Sequence, residues 1–494
     1  MTRDFSRQAL VRGALGAVAA GSLLGSCRPK TQAPPTVSSA PGPSATPAAA
    51  GPPDWNALGD AIEGRVILPP GADYAAAKNL FNTRFDTSTP AAVVAVKSTS
   101  DVQRAVEFAA RAGVKISVRS GGHSYIGASS ADSAMVIDLR QLPAGIRYDD
   151  DRDLVTIPPA ADLASVQTAL AAKGRSIPAG SCPTVGVAGL TLGGGLGCDT
   201  RNAGLTCDAL ASSTVVLPSG EAVTATADDH ADLFWALRGG GGGHLGVVTS
   251  LTFRTFPVTE RDVVTLVFPE NSAEQAILGW NSWLSAADRA FWGMVNLTVG
   301  DGSTRCTVVL ATPPGEGANR ASDLSDAIGV RPVSNTSRTL GRMDFVHYFQ
   351  GGAGATRPRP FVAGSDIIGD MTAAAAVAIV AATSEWPQHA GSATTVIESL
   401  SGAVGDVGPG DTAFPWRRQA ACIQWYTEAA AVEAGSEWVA TAHRAVQQNS
   451  VGGYVNYLEP DTSAARYFGG NVTRLAAVRQ KYDPDQAMYS GLSY

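Results

Sequence analysis

The chain has 494 residues, enough for two or three domains and a large buried core, and its 45% hydrophobic and 16% charged residues mark it as globular rather than disordered. A formal net charge of −7, with no basic cluster, offers nothing to nucleic acid.

Residues 1–27 read as a signal segment. Arg3, Arg7 and Arg12 precede an apolar run from Gly13 to Leu24 that is too short to span a bilayer. Leu24-Gly25-Ser26-Cys27 resembles a lipobox, which implies an exported, extracytoplasmic protein whose contact with the membrane is a lipid on Cys27. Ser6-Arg7-Gln8-Ala9-Leu10 resembles a twin-arginine signal, with Gln8 where the second arginine belongs. Residues 28–53 are mostly Pro, Ala, Ser, Thr and Gly, a linker without a core.

From Trp55 onward strand and helix patterns alternate. A strand from Ala91 to Val96, an amphipathic helix from Asp101 to Ala112 with Ser98 or Ser100 near its start, a strand from Val114 to Val118 and another from Met135 to Leu139 predict a β-α-β unit. A second unit is expected from strand Leu154 to Ile157 and helix Leu163 to Lys173. A hairpin follows around Pro218-Ser219-Gly220, joining Val215–Leu217 to Glu221–Thr226, and Val247 to Phe256 reads as a long alternating strand. Beyond Val258 the texture changes. Strands Val263 to Phe268, Trp292 to Val299 and Thr307 to Thr312 appear beside alanine-rich helices such as Met371 to Ser384.

Two stretches stand out. Gly180 to Gly197 reads Gly-Ser-Cys-Pro-Thr-Val-Gly-Val-Ala-Gly-Leu-Thr-Leu-Gly-Gly-Gly-Leu-Gly, a backbone suited to close approach by something bulky. It is followed by loop residues rather than a helix with a distal acid, and no Gly-Lys-Ser/Thr occurs, so neither a Rossmann fingerprint nor a P-loop fits. Upstream, Val118-Arg119-Ser120-Gly121-Gly122-His123-Ser124 carries a strand end into a tight turn, placing His123 at a strand's carboxyl end, where ligands bind.

Together with Asp232-Leu233-Phe234-Trp235-Ala236-Leu237-Arg238-Gly239-Gly240-Gly241-Gly242, Tyr454-Val455-Asn456-Tyr457, Tyr467-Phe468-Gly469-Gly470-Asn471 and Lys481-Tyr482-Asp483-Pro484, these stretches make the chain similar to the berberine-bridge-enzyme-like FAD-linked oxidases of the vanillyl-alcohol oxidase and p-cresol methylhydroxylase superfamily. The matching segments run from about Phe81 to Phe256 and from Gly453 to Pro484. The resemblance implies an α+β chain. A two-part FAD-binding domain of the p-cresol methylhydroxylase type would comprise residues 54–257 and a C-terminal return, 449–494. Between them, 258–448 would be an α/β substrate domain built on an antiparallel sheet.

It further implies FAD attached twice, through His123 to the C8α methyl and through Cys182 to C6. Around these tethers it assigns to the cofactor Arg119, Ser120, Gly121, Gly122 and Ser124, then Val185, Gly186, Val187, Gly189, Gly193, Gly194, Gly195 and Gly197, with Val248 and Asn456. Gly239 to Gly243 would approach the adenine half. His244, where the family usually has asparagine, reads as structural, Phe234 and Trp235 read as core packing, and the remaining histidines have no metal-ligand spacing.

Tyr457 matches the family's catalytic base, with Tyr454 beside it. Holding a tyrosine as phenolate at pH 7 costs about 4 kcal/mol unless neighbours help, and Arg417 or Tyr454 is the expected helper. The bland alternative makes both tyrosines half-buried strand residues. Phe414-Pro415-Trp416-Arg417 departs from the family's Phe-Pro-His-Arg, leaving an indole in that wall. Val185, three residues after Cys182, matches a position where valine leaves a pocket for oxygen and leucine closes it, which implies dioxygen as acceptor. With Cys27 lipidated and Cys182 joined to flavin, Cys198, Cys207, Cys306 and Cys422 remain. They allow three pairings, of which Cys198 with Cys207 is the expected one, against buried free thiols.

The reading is an exported oxidase of an alcohol or hemiacetal group on a sugar, oligosaccharide or secondary metabolite, releasing hydrogen peroxide. The alternatives are a dehydrogenase with another acceptor and a non-catalytic flavin-binding lipoprotein.

Overall fold

Apolar residues at Ala92–Ala95, buried on both faces, form an inner strand of the first sheet, as a strand covered on both sides requires. The computed structural model describes residues 52–494 except 301, 351–354, 388 and 429–431, so the signal segment, Cys27 and nearly all of the linker lie outside the described residues. In this sheet β1 (Arg65–Ile67) is antiparallel to β2 (Ala92–Ala95), while β2 and β3 (Ile116–Arg119) both run parallel to β4 (Met135–Asp138), which lies between them. The helix Thr99–Ala112 makes the crossover from β2 to β3. Ser98 caps it by accepting the Asp101 N–H at 3.1 Å, Gly113 ends it with φ 64°, and Val102, Ala105, Val106 and Ala109 are its buried face. The expected β-α-β unit is present.

The second one is not. After β5 (Arg147–Asp149) and β6 (Leu154–Ile157), the helix Leu163–Ala171 leads to β7 (Arg175–Ser176), which leaves the sheet. Its partner is β11 (Phe256–Pro257), whereas β6 pairs antiparallel with β10 (Val247–Arg254), Ile157 opposite Leu251. With β8 (Leu210–Val216) and β9 (Ala222–Ala225) the order is β5-β6-β10-β8-β9, antiparallel throughout. The half-buried, buried alternation of β6 is that of a one-sided antiparallel strand.

The third sheet contains β12 (Arg261–Phe268), β13 (Trp292–Gly300), β14 (Ser303–Thr312), β15 (Ser334–Leu340), β16 (Val362–Ile368), β17 (Ala393–Ser399), β18 (Ala421–Thr427) and β19 (Ser450–Gly452). Its order is β15-β12-β14-β13-β17-β18-β16-β19, and every pairing is antiparallel. Alternation divides its faces. Val295, Leu297, Ile397, Ile423 and Trp425 are buried against the helices Ala273–Ala286, Gly317–Ile328, Ala373–Ser384 and Val432–Val446, each such side chain worth roughly 1.5–3 kcal/mol. The intervening Asn296, Thr298, Thr394, Gln424 and Tyr426 are half-buried on the other face.

The described residues form one compact unit. The carboxyl end leaves the edge strand β19 and packs Tyr467, Phe468, Leu475, Val478 and Tyr482 into the core of the second sheet. This return carries the turn Val455–Tyr457 across the junction between the third sheet and the glycine-rich segment. The expected Cys198–Cys207 bridge is corrected: both are free and buried, Cys198 with Trp292 and Val309, Cys207 with Leu196 and Leu205, in separate apolar clusters. Cys306 and Cys422 are also buried free thiols.

Candidate functional site

The loop after β3 and the Cys182 turn are packed backbone to backbone. A Cβ on Gly121 would lie 2.2 Å from the Gly186 nitrogen, so glycine is required for this contact. The contact holds His123 beside the Cys182 turn, with His123 Nε2 2.9 Å from the Thr184 hydroxyl and its ring stacked on Phe81 at 4.0 Å. Burial, assisted by the Arg359 charge, lowers the His123 pKa to about 4, leaving the imidazole neutral. Burial raises the Cys182 pKa, opposed by hydrogen bonds from Thr184 and Val185 and by Arg359.

Two residues after His123, Tyr125 reaches the third sheet. Its hydroxyl accepts from Gln424 Nε2 at 2.7 Å, and its ring stacks on Tyr457 at 5.2 Å and 15°. Tyr457 meets Tyr454 edge-on at 4.9 Å. Tyr454 is buried, its hydroxyl accepting the Gly195 N–H at 2.9 Å and Asn456 Nδ2 at 2.8 Å. One motif thus locks the end of the glycine run to the C-terminal return. Around them Leu196, Ile367, Leu400, Phe414 and Cys422 form an apolar cluster. On the sheet, register places Glu398 between Met294 and Cys422, and Gln424 between Val396 and Ser365. Burial raises the Glu398 pKa to about 7, and burial together with the Glu398 charge pushes the Tyr457 hydroxyl well above its ordinary value.

Comparison with known proteins bears on this arrangement. Residues 90–226 match an FAD binding domain and residues 453–490 the berberine and berberine-like segment. An uncharacterized FAD-linked oxidoreductase of Bacillus subtilis is 28% identical over 451 residues, covering 86% of this chain and 95% of that one. The chitooligosaccharide oxidase of Gibberella zeae is 29% identical over 434 residues, covering 80% and 85%. A solved chitooligosaccharide oxidase superposes with TM-score 0.80 at 26% identity, covering 89% of this chain and 98% of that chain.

The chain is an FAD-linked oxidoreductase similar to the berberine-bridge-enzyme-like oxidases.

The oxidoreductase keeps a groove suited to the cofactor. A Cβ added at Gly189, in the helix Val187–Leu192, meets nothing within 4 Å, and one at Gly242 comes no nearer than 3.8 Å, with the Gly189 Cα among its neighbours, so this helix and the Gly242 loop flank open space. Other glycines of the run face the chain itself: a Cβ on Gly193 would fall 2.0 Å from Asn456 Oδ1, and Gly194, Gly195 and Gly197 likewise abut Phe414, Thr206 and Ala179. At these positions the missing side chain makes room for the protein's own neighbouring segments.

The other residues assigned to the cofactor also make contacts within the protein. Arg119 is buried and paired with Asp138 at 2.7 Å, which ties β3 to β4 and turns it away from the groove. Val187 and Val248 lie in the second sheet's core. Ser120 donates to the Pro159 carbonyl at 2.6 Å, Ser124 accepts the Ala128 N–H at 3.0 Å, Gly122 has φ 73° in the same turn, and Val185 packs half-buried on the edge of that core. Asn456 also donates to the Leu190 carbonyl at 2.9 Å. Arg417 is not the helper of Tyr457: it is buried in a bidentate pair with Asp208 at 2.7 and 2.9 Å. Trp416 leaves the wall as well, donating to the Gly453 carbonyl at 2.9 Å beneath the return. His244 is buried against Tyr494, 3.2 Å from its hydroxyl, and Phe234 and Trp235 are core residues, all three as expected.

Sequence reasoning missed Tyr125, Glu398 and Gln424. Tyr125 directly follows the histidine motif, and the two others sit on strands whose alternation is readable but whose facing partner is not. It also assigned nothing to His443, which lies between Asp366 and Glu459, 2.6 Å from each. Arg466 bonds Asp366 at 3.1 Å, Ser365 N–H donates to Glu459 at 3.3 Å, and the Ser365 hydroxyl accepts the Tyr454 N–H at 2.8 Å. A charge cluster behind the sheet therefore braces the tyrosine turn.

Proposed function

We propose that the chain oxidises an alcohol or hemiacetal group of a saccharide, with FAD joined to His123 and Cys182 and reoxidised by dioxygen to give hydrogen peroxide. The observation that carries this reading is the Gln424–Tyr125–Tyr457 contact, which brings the histidine loop, the polar sheet face and the tyrosine turn to one place. That face, with Asn296, Gln424, Tyr426 and Glu398, offers amide, phenol and carboxyl groups to a polyhydroxyl ligand. Relatives support the substrate class: the matched Gibberella protein bears the name chitooligosaccharide oxidase. A glucooligosaccharide oxidase structure described as carrying 6-S-cysteinyl, 8α-N1-histidyl FAD superposes with TM-score 0.79.

FAD supplies the two-electron acceptor for the substrate's C–H hydride. The protein's part is the hydroxyl proton. Tyr457 is protonated at pH 7, so it takes the substrate's proton only while giving up its own, and Glu398, whose pKa burial raises to about 7, is the group matched to accept that proton. We further infer that residues 1–27 direct export and that Cys27 carries a lipid; the mass of the mature amino terminus tests this. A panel of reducing mono- and oligosaccharides and simple alcohols, assayed for peroxide release, tests the function. Peroxide from at least one saccharide is expected. Flavin bleaching without peroxide would move the reading to a dehydrogenase, and no bleaching by any member would refute the saccharide assignment.

A further inference from the structure

One residue stands between the two tether side chains. Thr184 lies two positions after Cys182 in the same turn, and its hydroxyl is 2.9 Å from His123 Nε2. The imidazole cannot swing away, because Phe81 stacks on it at 4.0 Å. Phe81 is held in turn by its main-chain carbonyl, which accepts the Arg359 N–H at 2.9 Å, and by the Arg359 guanidinium 5.5 Å from its ring centre.

We propose that Thr184 is the positioning residue for flavin attachment: its hydroxyl accepts the Nε2–H of His123, leaving the lone pair on Nδ1, and donates its own hydrogen toward Cys182 Sγ. One side chain then readies both nucleophiles, and the inference rests on the two-tether reading above. A hydroxyl can accept and donate at once, and a neutral imidazole with hydrogen on one nitrogen is nucleophilic only at the other. His123 is neutral at pH 7, since burial and the Arg359 charge lower its pKa to about 4. At Cys182 the thiolate is the reactive form; burial opposes it, and it is favoured first by the Thr184 backbone N–H and next by the Thr184 hydroxyl.

The chemistry balances with dioxygen as oxidant. At His123 a C–H bond of the flavin methyl is replaced by C–N, and at Cys182 a ring C–H is replaced by C–S. In each case the side chain's hydrogen and the flavin's leave as two protons, and the two electrons pass to dioxygen, giving one hydrogen peroxide.

The test is the extent of covalent attachment, read by intact mass and by flavin fluorescence in denaturing gels. Holoprotein is collected at a fixed time after induction. Thr184→Val removes the hydroxyl at nearly constant volume, Thr184→Ser keeps it, and Thr184→Ala serves if valine does not fold. Wild type and Thr184→Ser are expected to be doubly linked. In the valine or alanine variant the doubly linked fraction is expected to fall about tenfold, the rate cost of one lost hydrogen bond, with singly linked protein in its place. Wild type and hydroxyl-less variants doubly linked to the same extent would overturn this inference alone. Wild-type flavin released by acid would overturn it together with the two-tether reading.

Discussion

Substituting His443 by glutamine tests whether the charge cluster behind the substrate sheet stabilises the tyrosine turn. Although burial opposes it, the Asp366 and Glu459 carboxylates at 2.6 Å raise the His443 pKa from 6.5 to about 9. That rise corresponds to about 3 kcal/mol favouring the folded state when the imidazole is charged. Because the folded pKa lies above the unfolded one, this contribution is complete below pH 6.5 and disappears as pH rises through 9. Near pH 8 it is about half its full size. Arg466, which bonds Asp366 at 3.1 Å, keeps its charge throughout this window, and Asp366 stays ionised because, against burial, His443 and Arg466 lower its pKa. The assay is urea unfolding of the holoprotein between pH 6 and pH 9.5. Wild type is expected to lose about 3 kcal/mol more over that interval than His443→Gln, which is less stable overall because its carboxylates lose their cation. Parallel pH dependences would refute the reasoning.

Three other outcomes follow from the site. Gly193→Ala puts a methyl 2.0 Å from Oδ1 of Asn456, the residue whose Nδ2 donates to Tyr454; an overpacking cost of about 1–3 kcal/mol and a lower flavin content are expected, measured by thermal unfolding and the ratio of visible to ultraviolet absorbance. Val185→Leu is expected to slow reoxidation of anaerobically reduced flavin by oxygenated buffer. Glu398→Gln is expected to remove the limb near pH 7 through which flavin reduction accelerates as the carboxyl ionises, because burial places its pKa at about 7.

The fold was legible where local chemistry and tertiary setting agree. Met135–Asp138 and Ala373–Ser384 fall within a residue or two of their expected bounds because apolar pattern and caps act locally. Leu154–Ile157 was recognisable as a strand, yet one of its two antiparallel partners comes from residues 247–254, and nothing near it in the chain specifies that pairing. The loops of His123 and Cys182 were readable because both residues lie in dense glycine motifs. Glu398 was not, since an acid on an alternating strand looks the same facing solvent or a catalytic cleft until the sheet's neighbours are placed. Arg417 shows the opposite failure: near a tyrosine motif in expectation, it is held by Asp208, 209 positions away. Cys198 and Cys207 are close in sequence but belong to different clusters, so spacing alone misled.

The most direct test of the account is the rate at which a saccharide reduces the flavin of Tyr457→Phe, followed anaerobically by stopped-flow at the visible band. The ring and its stack on Tyr125 remain, and only the hydroxyl is removed. The account predicts an unchanged flavin spectrum with reduction slowed by about 10²–10⁴-fold, the usual contribution of a positioned base. Reduction within about threefold of wild type would contradict it, since a base contributes far more than that.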